Sequence, residues 1–293
     1  MMEFGRLMVA MASPFREDLE LDLGKAASLA RHLVDDGVDT LVLSGTTGES
    51  PTLSRKEKTD LIKAVKKAVN VPLIGNAGTN DTRASILNAK DAEDAGADGL
   101  LLVAPYYNKP DQGMLYDHFA AIASSVRIPS MLYNVPGRTA ISIRPETIVR
   151  LSLDVPNITM LKDAAGNLDD TTVVLRDAAP GFRVYTGEDS LTLPSLAIGA
   201  YGVVSVTGHV AARLMKRMIE AYLAGEIQEA AAIHLKLQAI NRALFLQPNP
   251  VPVKRALRLC GFDAGSLRPP LKDASAEVTG ILSAALADLG LLK

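Results

Sequence analysis

The sequence predicts an α/β fold: a closed (β/α)8 barrel of the TIM type with a C-terminal helical extension. Three observations predict it. Short apolar runs recur along the 293 residues, and eight of them start 19 to 33 residues apart. These runs are continuously apolar instead of alternating, which suits parallel strands covered on both faces. The segments between them carry helix signals and leave room for one crossover helix after each strand.

The eight runs lie at 7–12, 40–43, 72–75, 99–103, 130–133, 159–162, 183–186 and 202–206. Three are approached through Val71-Pro72, Ile128-Pro129 and Val155-Pro156. Proline is tolerated at a strand's start, where no ladder donor is needed. The first helix is expected over 22–36, with Leu23, Ala26, Ala27, Ala30, Leu33 and Val34 at helical spacing and Gly37 as its C-terminal stop. Ser54 and Glu57 form a capping-box pattern ahead of Leu61, Ile62, Val65 and Val69. A further helix is expected over 82–95, stopped by Gly96, and Pro145 suits the first turn of another. After the eighth run, helices are expected over 211–223, 227–246, 252–259 and about 276–289. The chain therefore divides into a catalytic barrel, 1–225, and a helical region, 226–293. Eight near-even units without a dinucleotide fingerprint favour closure over an open doubly wound sheet.

Composition narrows the function. Hydrophobic residues make up 48% and charged residues 22%, an ordinary globular balance. Lys plus Arg total 31 against 33 Asp plus Glu, a formal charge of -2. A nucleic-acid binder would concentrate positive charge, so no nucleic-acid partner is expected. Aromatics are 4%, with no Trp, too few for a base-stacking platform. No apolar run approaches the length of a membrane helix, so no membrane partner is expected. The run at 7–13 follows Glu3 and is short for an export signal; it reads as a first buried strand. Cys260 stands alone and forms no internal disulfide, which fits a cytoplasmic protein.

Barrel chemistry gathers at the C-terminal ends of strands. That rule selects Gly45–Glu49 after strand two, 75–80 after strand three, and Pro105-Tyr106-Tyr107-Asn108 after strand four. It also selects 133–139 after strand five, Lys162-Asp163, Gly187-Glu188-Asp189, and the end of strand eight. Lys162 closes an apolar strand, where a surface lysine is out of place. A dry barrel interior disfavours an ammonium, and a neutral amine attacks a ketone to form a Schiff base. Its ordinary alternative is an ion pair with Asp163 or a neighbouring carboxylate. Tyr133 can pass a proton or simply pack the barrel top. Thr46 and Thr47 offer hydroxyls for a carboxylate or form a simple turn. Arg138 has the fork for a carboxylate or makes a surface ion pair. Tyr106-Tyr107 reads as a lid, a subunit contact, a donor or a loop anchor. His32, His118, His209 and His234 are scattered away from Asp163, Glu188 and Asp189, so no metal is expected.

Taken together, these segments resemble the dihydrodipicolinate synthase family of the pyruvate-dependent class I aldolases. The resemblance spans nearly the whole chain. It rests on G-T-T-G-E-S at 45–50, P-Y-Y-N-K-P at 105–110, Y-N-V-P-G-R-T at 133–139, L-K-D-A-A-G-N at 161–167 and G-V-V-S-V-T at 202–207. Gln247-Pro248-Asn249-Pro250 followed by V-P-V-K adds a further segment. The resemblance implies condensation of pyruvate with L-aspartate-4-semialdehyde to 4-hydroxy-tetrahydrodipicolinate, the committed step toward diaminopimelate and lysine. It implies no cofactor. Lys162 would be the Schiff-base amine, Tyr133 the proton carrier, and Thr46 its link to Tyr107 of a neighbouring subunit in a homotetramer, a dimer of dimers. Thr47 would hold the pyruvate carboxylate and Arg138 the semialdehyde carboxylate. Gly187 and Val204 would supply backbone groups near the adduct. The alternative is another pyruvate-dependent aldolase acting on a sugar acid or hydroxy-oxo acid; Arg138 and Thr139 favour the synthase. The chain departs from the family at Asn76, Ala77, Asp163 and His209. Lysine-sensitive relatives bind that effector through a histidine or comparable partner and a glutamate. Here Lys58 and Ala84 stand in those places with Arg55 nearby, which implies weak or absent lysine inhibition.

Overall fold

A computed structural model describes residues 3–292. Eight parallel strands close in chain order. They are β1 (Leu7–Ala10), β2 (Thr40–Leu43), β3 (Leu73–Asn76), β4 (Gly99–Val103), β5 (Ser130–Asn134), β6 (Ile158–Asp163), β7 (Arg183–Thr186) and β8 (Gly202–Ser205). β8 pairs with β1 through Met8 opposite Val204, so no strand edge is left among them.

The first helices are α1 (Leu23–Asp35), α2 (Arg55–Lys66), α3 (Thr82–Asp94), α4 (Gln112–Ala123), the short α5 (Pro136–Thr139) and α6 (Pro145–Asp154). They are followed by α7 (Leu168–Asp177), α8 (Thr192–Ala197), α9 (Gly208–Leu223), α10 (Ile227–Ala243), α11 (Val251–Leu259) and α12 (Ala276–Asp288). Asp22 caps α1, and Gly37 follows it at φ +95°, a conformation natural to glycine. The expected capping box forms at Ser54 and Glu57, a device that contributes about 1 kcal/mol. Pro145 sits in the first turn of α6.

The pleat sorts each strand into two faces. Met8, Val42, Ile74, Leu101, Met131 and Met160 fill the barrel interior. Leu7, Val9, Leu41, Leu43, Leu132 and Leu161 belong to the larger core shared with the helices. Both sets are apolar, which is why the strands read as unbroken runs in the sequence.

The structure shifts two expected boundaries. α9 begins at Gly208, three residues before the expected start, because the amide of Gly208 donates to Ser205 Oγ at 2.7 Å and turns the chain directly off β8. A break at Ala211, with φ -133°, separates this first turn from the regular helix. α10 ends at Ala243 instead of 246, where Phe245 N tightens onto Arg242 O. The extension beyond α9 folds back: α10 packs on α9 and α12, and α11 packs on α12 and α9. Among the described residues, no helix is long and apolar enough to cross a membrane.

Candidate active site

Alternation along β5 and β6 decides which side chains enter the barrel. Met131 and Tyr133 face inward from β5, and Met160 shares that face on β6. Lys162, two residues after Met160, therefore points inward as well. It is 5% exposed and lies in register with Tyr133 on one side and Tyr185 on the other. Its Nζ sits 4.3 Å from the centre of the Tyr133 ring, a cation–π contact.

Asp163 does not pair with Lys162. The pleat turns it to the opposite face, where Thr171 Oγ1 donates to it at 2.8 Å and Asn134 Nδ2 and the Ala165 amide each donate at 3.2 Å. Burial raises its pKa, with these hydrogen bonds opposing. Asp189 is equally occupied. It accepts from Ser205 Oγ at 2.5 Å and from the amides of Val206 and Thr207 at 2.9 Å, tying the end of β7 to the end of β8. Burial raises its pKa too. Glu188 is the acid left facing the site. Burial and the neighbouring Asp189 raise its pKa, while the charges of Lys162 and Arg138 pull it down. The three acids singled out at the strand ends thus have separate tasks.

A cavity of about 410 Å3 opens at the C-terminal mouth of the barrel. Thr46, Tyr133, Val135, Arg138 and Thr139 line one part of it. Ser50, Lys58, Asn76, Thr79 and Tyr106 are among the residues lining the remainder. Lys162 lies beneath its wall, on the Tyr133 ring. Gly187 makes room for the lysine: a Cβ there would meet Ala164 Cβ at 2.8 Å and Lys162 Cε at 3.0 Å. Val204 is fully buried in the same interior cluster.

Arg138 rides on α5, whose chain is reversed at Ala140, φ +58°, and held by Thr139 Oγ1 donating to Ile141 O at 2.7 Å. Among the described residues its guanidinium makes no ion pair, so the surface-pair alternative fails and the fork is left open toward the cavity. Thr47 is buried beside Thr46, and its Oγ1 accepts from Asn249 Nδ2 at 2.8 Å. Tyr107 is not brought to the cavity within this chain. It is 88% exposed and held at φ +75°, on the loop where Tyr106 turns toward the cavity instead.

Some cavity residues were not legible as such. Thr79 gave no signal beyond its place after a strand, and Ser50 none beyond its place in the G-T-T-G-E-S motif. Lys58 was marked by the family pattern alone; burial pushes its pKa down. Arg55, expected to add charge there, is instead paired with Asp91 at 2.6 Å.

Fold and site together define a (β/α)8-barrel enzyme with a buried lysine on the inward face of its strands, below an open cavity. The chain belongs to the dihydrodipicolinate synthetase family, whose pattern matches residues 3–289. It is 49% identical to a 4-hydroxy-tetrahydrodipicolinate synthase of Moorella thermoacetica, over 99% of this chain and 100% of that one. It is 47% identical to the Bacillus subtilis enzyme of the same name, over 98% and 100%. A dihydrodipicolinate synthase from Cyanidioschyzon merolae, solved with lysine bound, superposes with a TM-score of 0.97 at 43% identity, covering 99% of both chains. One from Bacillus anthracis gives 0.96 at 44%, covering 98% of this chain and 99% of that chain.

Proposed function

We propose that this chain condenses pyruvate with L-aspartate-4-semialdehyde to 4-hydroxy-tetrahydrodipicolinate, on the path to diaminopimelate and lysine, with Lys162 carrying the pyruvate. The observation that carries the assignment of Lys162 is a buried amine with no ion-pair partner among the described residues, against a tyrosine ring at a barrel's C-terminal mouth. Lys162 Nζ attacks the ketone carbon of pyruvate, and loss of water leaves the iminium. A methyl proton then leaves, and the iminium takes up the electron pair as an enamine. The enamine carbon attacks the semialdehyde's aldehyde, whose oxygen is protonated. The substrate's own amine adds to the pyruvyl C2, the Lys162 amine departs, and the ring closes.

Tyr133 is the proton carrier in this reading, since its ring already contacts Lys162. Thr46 links it outward, Thr47 receives the pyruvate carboxylate, and backbone groups of Gly187 and Val204 surround the adduct. Arg138 receives the semialdehyde carboxylate. Its open fork on the cavity wall supports a second substrate that is itself an acid. Tyr107 serves a neighbouring subunit in a dimer-of-dimers tetramer, and its exposure on a strained loop supports that role.

The test is product formation from the two substrates, followed by mass spectrometry, with wild type and Lys162→Ala. Ring product from wild type alone is expected. Product from both proteins removes Lys162 from the mechanism, and none from folded wild type overturns the reaction. Arg138→Ala should raise the semialdehyde KM well above any change in the pyruvate KM; equal changes would refute the clamp.

A further inference from the structure

The Q-P-N-P-V-P-V-K segment has no part in the chemistry above, yet it reaches the loop that follows β2. Three anchors meet there, all from the C-terminal extension. Asn249 Nδ2 donates to Thr47 Oγ1 at 2.8 Å. Lys254 Nζ pairs with Glu49 Oε1 at 2.6 Å, with side chains 3% and 1% exposed. The amide of Arg268 donates to Glu49 Oε2 at 2.9 Å, and its guanidinium donates to Thr52 O at 2.6 Å. Glu49 itself holds a left-handed backbone, φ +55°, which a glutamate adopts only when its surroundings enforce it.

We propose that Asn249 is a positioning residue for pyruvate, setting the direction of the Thr47 hydroxyl while the Lys254–Glu49 pair fixes the loop that carries it. The inference rests on the reading of Thr47 as the carboxylate donor. A hydroxyl has one proton and two lone pairs. Asn249 donates into one lone pair, so the proton of Thr47 is left for another acceptor. A carboxylate at the barrel mouth is such an acceptor, and a hydrogen bond to an ion is the stronger kind. The cost of the arrangement points the same way. Asn249 is buried and its Oδ1 has no partner among the described residues. An amide kept with an orphan oxygen is a poor choice for packing alone, since an apolar residue of similar size would leave nothing unsatisfied. Thr47 is thereby held from 202 residues away in sequence, by a segment outside the barrel strands.

The experiment titrates pyruvate alone against the full-length protein in the presence of borohydride and reads the trapped adduct by intact mass. Wild type, Asn249→Ala, Asn249→Asp, Thr47→Val and the double variant Thr47→Val/Asn249→Ala are compared. Asn249→Ala should raise the half-saturating pyruvate concentration about tenfold. The semialdehyde KM should stay within about twofold, a split that general loosening of the fold would not produce. Asn249→Asp keeps the shape but only accepts, so it turns the Thr47 proton away from substrate and should weaken pyruvate at least as much. It also serves if the alanine variant fails to fold. On the Thr47→Val background the Asn249→Ala change should add nothing, because its route is gone. Full additivity there, or an unmoved half-saturation in folded Asn249→Ala, overturns the inference while leaving the reaction intact. No adduct in wild type overturns the reaction and this inference with it.

Discussion

Lys162 and Asp163 are neighbours in the chain and strangers in the fold. One residue's step along β6 sends the amine into the barrel and the carboxylate into the layer between strands and helices. That step separates a reactive lysine from an ordinary ion pair. The same inward face brings Tyr133 against it. Tyr133→Phe keeps the ring and the cation–π contact and removes only the hydroxyl. Turnover should fall by about 10²-fold with the melting temperature unmoved; an unchanged kcat would take proton transfer away from Tyr133. Lys58 carries a second prediction at this scale. The cavity wall presents a half-buried cation there, and the family resemblance sets Ala84 in the place of the carboxylate that would meet an ammonium. A lysine titration of the steady-state rate should show weak inhibition or none, and strong inhibition would refute that reading.

Strands and turns set how much of this was legible. All eight strands fall within two residues of their expected ends because continuous apolarity, proline starts and glycine stops all mark the same boundaries. The helices α4, α7 and α8 were allowed for by spacing but not delimited. Their caps, Asp111 and Asn167 among them, are single residues in mixed sequence. The residues at strand ends were found for the same reason that the strands were. The Asn249–Thr47 bond was not, since no periodicity links positions on a loop and a distant tail. One turn offers a direct test. At Gly187, after β7, a methyl group would fall 3.0 Å from Lys162 Cε and 2.8 Å from Ala164 Cβ. Gly187→Ala should therefore displace the lysine and slow borohydride trapping of pyruvate at least tenfold, about 1.4 kcal/mol in the barrier. Trapping at the wild-type rate would show that the lysine tolerates the crowding.

Across the whole molecule, closure and assembly become measurable. His209 Nδ1 donates to Val206 O at 2.8 Å and its Nε2 accepts from the Ala12 amide at 3.1 Å, joining the two ends of the barrel as a neutral ring. Burial pushes its pKa down to about 4, and burial does the same to His118 between α3 and α4. The unfolded chain takes up these protons near 6.5, before the folded one does. Their contribution to stability is thus complete above that value and is lost as the pH falls toward 4. A His118→Asn/His209→Asn variant should lose less stability than wild type between pH 7 and pH 5 in urea unfolding. Equal losses would place the acid sensitivity elsewhere. Assembly is tested by mixing. Lys162→Ala and Tyr107→Ala proteins, each inactive alone, should regain activity when refolded together, because one site of each hybrid pair then holds both residues. No recovery in demonstrated hybrids would keep Tyr107 within its own chain.

The Lys254–Glu49 pair spans 205 residues and has a consequence for the order in which the protein is made. During synthesis every strand has left the ribosome before Lys254 has been added. A nascent chain can therefore close its barrel while the threonine loop is still unanchored, with Glu49 lacking its counter-charge. A message cut short before Lys254 therefore leaves the threonine loop without its anchor, whatever barrel it yields.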